Sequence, residues 1–432
     1  MQYALIILEG SIDESIVALD GMTPLEAACT PNIDVIAQSG RVGLCAASPT
    51  GMRPCAASAT MSMLGCDPAV VDPAQGPLSA LARGVETKPG DRAWRVTFLT
   101  APDGVVSSPA AGSIDAPEAR AVVAALIEAW GTRAPDLMER FTATSVDQTG
   151  CVLIERGGAE SDRVDLVMPV DLVGENWRDG LSSGRVIPAI ERLIEIGAEA
   201  LADCEVNRAR RAAGSEPVDV AWIWGGGAVM QAGHGFAERF ALRGAIVAES
   251  EHAVGVGRLI GLDRVPISQG EGLESVGEAV ASALDRYDLV VAHVRTPAEA
   301  SFLGDVGAKV RAIEAIDSMV VGPVLRRLDR LDRLGSAGTN ERDEDGFRIM
   351  IAATADSSCV DRAPLDFPSL VAMGGTWLEG QVSRRLIERD AAASDLRVEP
   401  GHEILEFFLR SGLRVQFRKP RTSRQAVDEA PE

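Results

Sequence analysis

The sequence predicts an α/β protein in which helices cover both faces of a mainly parallel sheet. Short continuous apolar runs, such as YALIIL at 3–8 and DLVVAHV at 288–294, are typical of strands that are buried on both faces. Helical stretches separate such runs, notably 275–286 and 307–331. This alternation predicts a doubly wound sheet, and the ligands of such sheets bind at the carboxyl ends of the strands.

The predicted strands end where polar or glycine residues interrupt the apolar runs. The first strand ends at Glu9 and Gly10, which places the Glu9 carboxylate at the ligand-binding edge of the sheet. A helix is predicted to begin near Pro31, because proline suits the first turn and spaced apolar residues follow it. The other strand candidates of the core are 218–225, 244–248, 288–294, 347–353 and 368–374.

Residues 80–215 interrupt this alternation and predict a smaller, inserted α+β domain. They contain two weaker strand candidates, AWRVTFLT and GCVLIERGG, and helices near 116–130 and 185–203. The acidic run at 343–345 is typical of a surface loop. The predicted division is a core domain in two parts, 1–79 and 216–415, an inserted domain at 80–215 and a flexible tail at 416–432.

The composition excludes several classes of function. The chain has 432 residues, of which 46% are hydrophobic, and its formal net charge is −21, so its average surface repels a nucleic-acid backbone. No stretch approaches the roughly 20 apolar residues of a membrane span, and the N-terminal apolar run is too short for a signal sequence. The seven cysteines lack CxxC spacing, which favours free thiols. We expect a cytoplasmic protein that binds neither nucleic acid nor membranes.

The segment GMRPCAASATMSMLGCDP at 51–68 is typical of a loop that presents a reactive group at the start of a helix. Small residues lead into an apolar helical stretch that stops at Gly65. The crown of the loop, Cys55-Ala56-Ala57, carries no hydroxyl, carboxylate or imidazole. The setting of a catalytic loop is therefore present without its usual reactive group.

Several collinear stretches resemble one family, the archaeal-type cofactor-independent phosphoglycerate mutases of the alkaline phosphatase superfamily. The stretch DGMTPLEAACTPNIDVIAQSGRVG resembles the early helical region of that family, and CEVNRARRAAGSEPVDVAWIWGGG resembles its asparagine-arginine segment. FALRGAIVAESEHAVGVGRLIGL is similar to a later strand and helix, and GHEILEFFL to the C-terminal helix. The resemblance covers roughly residues 1–410. It implies an alkaline-phosphatase-like, doubly wound mixed sheet with a smaller inserted domain.

The resemblance also implies a reaction, the interconversion of 3-phosphoglycerate and 2-phosphoglycerate through a phosphoserine. The implied ligand is thus an anionic phosphorylated metabolite. Two divalent cations, manganese, magnesium or zinc, would stabilise the attacking and leaving oxygens. Carboxylates and imidazoles suit such cations, so the family site requires a serine nucleophile and six metal ligands.

Most of these groups are absent from the positions that the resemblance implies. The nucleophile position holds Ala56. Glu9 is the only suitable donor at a family ligand position, and its extra methylene moves the carboxylate beyond the roughly 0.5 Å that a site tolerates. The other ligand positions hold Ala298, Phe302, Thr354, Ala355 and Arg362. None of the four histidines (234, 252, 293 and 402) occupies a family ligand position.

We therefore predict that no catalytic group is intact and that no cofactor is bound, because the crevice lacks imidazole and oxygen donors for two cations. Ser58 and Cys55 are weak substitutes for the nucleophile; the first is more typical of a helix cap and the second of a small buried residue. Glu249, Glu251 and His252 follow a strand, and they form either a ligand site or a capping and surface group.

A second set of residues matches the family and is suited to binding an anion. Arginine guanidinium groups form bidentate hydrogen bonds to carboxylates and phosphates. This set is Asn207, Arg208, Arg211, Arg95 and Arg258. For the group around Arg208, an inter-domain salt-bridge set is the alternative. Asp356 is either a metal ligand after a shift in register or a solvated loop carboxylate.

Three functions follow from these observations. The first is a pseudoenzyme that retains the mutase scaffold and binds an anionic metabolite or a protein partner. The second is an active isomerase or phosphatase of the superfamily with a relocated site, which a metal bound at Glu9, Glu251 or Asp356 would favour. The third is a structural or partner-binding scaffold. Fold alone does not decide among them.

Overall fold

The computed structural model describes residues 1–410 apart from 53, 72, 113, 148–149, 159–166, 183–186, 232, 234, 268–271, 337–345 and 377–383. The predicted surface loop at 343–345, the predicted tail at 416–432 and His234 lie outside the described residues. No helix within the described ranges is both long and apolar enough to cross a membrane.

The described residues form twelve strands. These are β1 (Gln2–Leu8), β2 (Arg41–Cys45), β3 (Arg92–Leu99), β4 (Phe141–Asp147), β5 (Gly150–Glu155), β6 (Val220–Ala228), β7 (Gly244–Ala248), β8 (Asp263–Arg264), β9 (Leu289–Val294), β10 (Phe347–Ala353), β11 (Ser369–Gly375) and β12 (Leu396–Val398). A sheet of eight strands has the order β12-β2-β11-β10-β1-β9-β7-β8, and a sheet of four has the order β4-β5-β3-β6.

Helices flank both sheets. The α-helices of the described ranges are α1 (Pro24–Ala27), α2 (Pro31–Ser39), α3 (Ala56–Met63), α4 (Gln75–Arg83), α5 (Ala116–Arg133), α6 (Pro135–Met138), α7 (Trp177–Ser182), α8 (Pro188–Leu201), α9 (Glu205–Ala212), α10 (Gly235–Phe240), α11 (Glu251–Ile260), α12 (Gly272–Ala283), α13 (Thr296–Leu303), α14 (Val306–Ile316), α15 (Gly322–Ser336), α16 (Glu388–Ala392) and α17 (Ile404–Arg410). Short 3₁₀ turns lie at Val17–Leu19, Pro102–Gly104, Pro169–Leu172 and Gly401–Glu403, and a π-helical turn, Asp317–Val321, joins α14 to α15.

Strand β1 forms the centre of the eight-stranded sheet. It pairs in parallel with β10 on one side and with β9 on the other, so that Leu5 lies opposite both Met350 and Val291. Its side chains alternate between two cores: Ile6 packs with helices α2, α12, α14 and α15, whereas Ile7 packs with α3, α11 and α17. Because both faces are covered, the strand is apolar along its whole length.

The predicted fold class is confirmed. Strands β7 and β10 have the bounds predicted from the apolar runs, and the sheet is mixed because β11 runs antiparallel to both β10 and β2. One assignment is wrong: the run at 218–225 was placed in the core sheet, but β6 pairs antiparallel with β3 in the smaller sheet. Its Trp222 fills the core of that sheet together with Trp94 and Trp130. The smaller sheet therefore extends past the boundary predicted at 215.

Helix α4 joins the two sheets. One side of it contacts α11 of the larger unit, and the other contacts β3 and β6. The approach to α11 is close: a Cβ atom at Gly255 would lie only 2.3 Å from the Leu78 carbonyl oxygen, so a larger residue there would separate the helices. The position of α11 in the core is thus set partly by the smaller sheet.

Candidate metal centre

Three neighbouring strands bring a carboxylate and two imidazoles to one edge of the larger sheet. Glu9 directly follows β1, His293 is the penultimate residue of β9, and His252 is the second residue of α11, which follows β7. These strands are parallel neighbours, so their carboxyl ends meet. The Glu9 amide donates to the Val294 carbonyl at 2.8 Å, which fixes the start of the loop after β1 against β9.

The three side chains converge on the Oε2 atom of Glu9. Its distance to Nε2 of His252 is 3.0 Å, and its distance to Nε2 of His293 is also 3.0 Å. The two imidazole rings stand nearly perpendicular, with centroids 5.1 Å apart. One donor atom from each residue lies within 4.8 Å of the other two, which is a spacing suited to a single metal ion.

Burial and charge place two of these groups in metal-binding protonation states. Burial by itself raises the pKa of Glu9, but the interactions with His252 and His293 hold this pKa well below its ordinary value. Burial lowers the pKa of His293, and the contact with Glu9 offsets this only in part. Near neutral pH Glu9 is therefore ionised and His293 neutral, the forms in which carboxylates and imidazoles bind metal ions.

Other polar groups surround the three donors. The Ser250 hydroxyl lies 2.7 Å from Nδ1 of His252, and the Thr60 hydroxyl lies 3.3 Å from Nε2 of His293. Burial, followed by the negative charge of Glu9, raises the pKa of Asp356 to about 6. Asp356 is thus half-buried and close enough for the charge of Glu9 to act on it, and its role as a metal ligand or as a loop carboxylate remains a prediction.

The expectation that the crevice lacks imidazoles is wrong. His293 was interpreted as part of an apolar strand, and His252 as one member of a cluster after a strand that forms either a ligand site or a capping and surface group. The sequence did contain part of the signal, since His293 lies near the end of β9, which pairs with β1, and His252 lies shortly after β7, which pairs with β9. The order of the strands was the missing information, because it depends on long-range pairing.

The other positions that the resemblance implies as ligands hold residues without a carboxylate or an imidazole. The Ala298 amide, in the first turn of α13, donates to the Glu9 carbonyl at 3.2 Å, and the Thr354 amide donates to the Leu8 carbonyl at 3.1 Å. Ala298 also packs on Gly10, where a Cβ atom would lie 2.6 Å from its Cα. The other three positions hold the half-buried Phe302, the half-buried Ala355 and the exposed Arg362. These residues do not fit a two-metal site of the family type.

The nucleophile position is the first residue of α3, and the side chains near it have structural contacts. Cys55 caps this helix, with its Sγ accepting from the Ser58 amide at 3.4 Å. The Ser58 hydroxyl is buried, donates to the Cys55 carbonyl at 2.8 Å and lies 3.3 Å from the Ser48 hydroxyl. Ser58 therefore serves as a cap, as its position near a helix start predicts. Ala56 itself offers only a methyl group.

The predicted cluster that follows β7, residues 249, 251 and 252, separates into three environments. Glu249 is exposed, whereas His252 faces the centre. Glu251 pairs with Arg83 of α4 and with Arg95 of β3. Burial alone would raise the pKa of Glu251, but these two guanidinium groups lower it to about 2. Arg95, a predicted anion-binding residue, thus joins the smaller sheet to α11.

The other predicted anion-binding residues also have partners within the chain. Asn207 is buried and bonds the Leu201 and Val218 carbonyls and the Val218 amide, which ties α9 to the strand that follows it. Arg208 pairs with Asp203, Arg211 pairs with Asp219, and Arg258 donates to the Leu81 carbonyl. None of these described contacts places the four residues at the Glu9 centre. Asn207 therefore has a packing role, whereas Arg208 and Arg211 are exposed, and the binding of an anion by these residues remains a prediction.

Comparison with known proteins decides the family. The family of 2,3-bisphosphoglycerate-independent phosphoglycerate mutases matches residues 37–207. Phosphoglycerate mutase 2 of this type from Methanothermobacter thermautotrophicus is 34% identical over 334 residues, which are 76% of this chain and 81% of that protein. The chain belongs to the 2,3-bisphosphoglycerate-independent phosphoglycerate mutase family. The resemblance found in the sequence is thereby confirmed.

Two solved structures share the fold of this family member. The PH0037 protein of Pyrococcus horikoshii is 21% identical, with a TM-score of 0.68 over 94% of this chain and 96% of that one. The cofactor-independent phosphoglycerate mutase of Thermoplasma acidophilum is 22% identical, with a TM-score of 0.52 over 95% and 99%. The similarity therefore extends through both sheets.

Proposed function

We propose that this chain is a catalytically inactive phosphoglycerate mutase homologue that cannot form a phosphoserine. The observation that carries the proposal is Ala56 at the start of α3, the position that the family resemblance assigns to the nucleophile. A methyl group has no lone pair with which to attack phosphorus. Its nearest hydroxyl along the helix, that of Ser58, is buried in the cap of the same helix.

The ligand positions support the same proposal. Phosphoryl transfer by a metal pair needs one cation near the attacking oxygen and one near the leaving oxygen. Ala298 and Ala355 provide no donor atom from their side chains, and Thr354 replaces a carboxylate with a hydroxyl. The relatives are named for a reaction of phosphoglycerate, so an anionic metabolite of this class is the ligand that we propose for the retained scaffold.

The direct test is turnover of 3-phosphoglycerate, and of a phosphatase substrate, by the purified chain with Mn²⁺, Mg²⁺ or Zn²⁺. We expect no product above the protein-free blank, with an active family member as the positive control. Ala56→Ser should also stay inactive, because the second set of ligands is missing. Turnover by the unmodified chain that EDTA abolishes would overturn the proposal. Calorimetric titration with 3-phosphoglycerate then measures whether the inactive scaffold binds this anion.

One observation favours a second candidate, an active phosphatase of the superfamily with a relocated site. Thr60 lies one turn beyond Ala56 on α3, and its hydroxyl approaches His293 rather than the helix cap. A nucleophile at this position would form a phosphothreonine, which mass spectrometry of the acid-quenched protein detects. Thr60→Val would abolish both the phosphothreonine and the turnover, whereas Ser58→Ala would not.

The cysteines bear on the cellular setting. All seven cysteines are free, which suits a reducing compartment, so we propose a cytoplasmic protein. The scaffold alternative requires a protein partner instead of a metabolite. Co-purification of a stoichiometric partner, with no binding of 3-phosphoglycerate in the calorimeter, would favour that alternative.

A further inference from the structure

We propose that Glu9, His252 and His293 together bind one divalent transition-metal ion of the zinc type. Only Glu9 occupies a ligand position of the family; the two histidines come from other positions of the sequence. The inferred centre is therefore a mononuclear site built from a different donor set. It does not depend on the proposed loss of mutase activity.

The donor set determines the class of ion. Two imidazole nitrogens and one carboxylate oxygen suit zinc, iron(II), cobalt and other borderline cations. Magnesium and calcium prefer sites in which all ligands are oxygens. Three protein ligands leave a fourth position, and the hydroxyl of Thr60 lies beside the centre, 3.3 Å from Nε2 of His293.

An unpartnered buried oxygen supports a cation at this position. Oε2 of Glu9 is buried and has no hydrogen-bond partner among the described residues, although two imidazole nitrogens lie 3.0 Å away. A buried carboxylate oxygen without a bond costs free energy. A cation between the three donor atoms would satisfy this oxygen and both nitrogens at once.

The surroundings orient two of the three donors, His252 and Glu9. The hydroxyl of Ser250 at 2.7 Å from Nδ1 of His252 leaves Nε2 directed at Glu9, the arrangement by which metal-binding histidines are positioned. The backbone of Glu9 bonds Val294 on one side and Ala298 on the other. The loop beyond it is held by the buried pair of Asp13 and Lys309, with 2.7 Å between Oδ2 and Nζ.

The alternative explanation is a buried ion pair between Glu9 and a protonated histidine, with no metal. That arrangement also produces 3.0 Å contacts. The two explanations differ in ion stoichiometry and in visible absorption, because Co²⁺ coordinated by nitrogen and oxygen absorbs visible light whereas an ion pair does not. The experiment uses Co²⁺ and Zn²⁺ themselves as probes, so it needs no knowledge of a substrate.

The full chain is stripped with EDTA, dialysed and titrated with Co²⁺ while the visible spectrum is recorded. We expect absorption bands that saturate at one ion per chain and disappear when Zn²⁺ displaces the cobalt. Elemental analysis after gel filtration should then give one zinc per chain. Zn²⁺ should also raise the Tm of the stripped protein, because binding to the folded state alone stabilises it.

Variants identify the site. Glu9→Gln, His252→Ala and His293→Ala should each weaken Zn²⁺ binding by about 100-fold or more, because each removes one of three ligands. His402→Ala is the matched control, because this half-buried histidine lies 3.7 Å from Asp67 and is not part of the donor group. This variant should bind Zn²⁺ as tightly as the unmodified chain does. His252→Ala, at the more accessible of the two imidazoles, covers the case in which His293→Ala does not fold.

Two results would overturn the inference. One is a stripped protein that shows no cobalt band and retains no zinc. The other is binding that His252→Ala and Glu9→Gln leave unchanged, which would locate the ion elsewhere. A stoichiometry of two ions per chain would contradict the mononuclear site and would also count against the proposed inactivity. One bound ion without turnover supports both proposals, and one bound ion with turnover supports only this inference.

Discussion

Two groups of residues at the same edge of the larger sheet differ in what they offer a ligand. Glu9, His252 and His293, at the ends of β1, β7 and β9, present three convergent donor atoms. Ala298 and Ala355, at the start of α13 and after β10, present methyl groups in a packed environment. The difference shows that polar donors are distributed unevenly along this edge. One half presents apolar side chains next to a buried ion pair, while the other half presents donors that face each other.

Next to the half without donors, Asp13 and Lys309 form a buried ion pair. Breaking this pair should cause the largest loss of folding stability among these predictions. Lys309→Met would leave the Asp13 carboxylate buried beside the Cys359 amide without its cation. We expect a loss of about 3–5 kcal/mol in the free energy of unfolding, measured with urea. The exposed Lys88→Met is the control and should change stability little. A loss below about 1 kcal/mol would show that the pair is not a structural element of this half.

Introducing a carboxylate into the same half should lower the free energy of unfolding by a smaller amount. It should not create a second metal site. Ala298→Asp places an acid in a fully buried position against Gly10, so we expect a loss of about 2–4 kcal/mol. The ion stoichiometry should stay at one. Leu303→Asp on the exposed side of α13 is the matched control. A stable variant that binds two ions would remove the distinction between the halves.

Glu251 of α11 pairs with Arg95 of the smaller sheet and so links that sheet to the half with donors. The pH dependence of folding stability tests how much this ion pair contributes. The pKa of Glu251 is about 2 in the folded chain and near 4.5 when unpaired, so its stabilising contribution is complete above pH 4.5 and is lost as pH falls toward 2. At pH 7, Glu251→Gln should lower the free energy of unfolding by on the order of 2 kcal/mol.

The difference between Glu251→Gln and the unmodified chain should shrink between pH 4.5 and pH 2, in urea titrations of EDTA-treated protein. Glu249→Gln, at an exposed neighbouring position, should match the unmodified chain throughout. A difference for Glu251→Gln that is independent of pH would show that packing, and not the charge pairing with Arg83 and Arg95, explains the loss.

The smallest effect is expected from Ser250→Ala, which removes the hydroxyl that orients His252 without removing a donor. We expect Zn²⁺ and Co²⁺ to bind about 10-fold more weakly, with unchanged stoichiometry, because the partners of metal-binding imidazoles tune affinity. Ser39→Ala, whose hydroxyl bonds only within α2, is the control. If both variants bind cobalt equally well, Ser250 has no positioning role.

The fold was largely predictable because its core strands are continuous apolar runs of short length. Runs at 244–248 and 347–353 became β7 and β10 with the same bounds. The run at 218–225 was assigned to the wrong sheet. A buried apolar strand with large aromatic residues has the same sequence pattern whichever of the two sheets it belongs to. Only pairing with β3, more than 100 residues earlier, distinguishes the two, and sequence periodicity contains no such information.

Of the three donors of the candidate site, the sequence predicted the position of one, and the other two were missed. Glu9 stands immediately after an apolar run, so its place at the edge follows from local pattern. His293 lies within such a run, where a single imidazole is usually a packed side chain, and His252 required knowledge that β7 and β1 both flank β9. The pairing of Arg95 with Glu251 was likewise hidden, since it joins two sheets through a contact 156 residues apart in the chain.

His252 differs from its two companions in exposure: 11% of its side chain is accessible, against 4% for Glu9 and none for His293. At the proposed centre, His252 is therefore the ligand most exposed to solvent. We expect rotation of its ring to govern how quickly ions exchange, so that affinity and residence time become separable properties. A larger residue beside that ring would trap an ion without changing a single ligand.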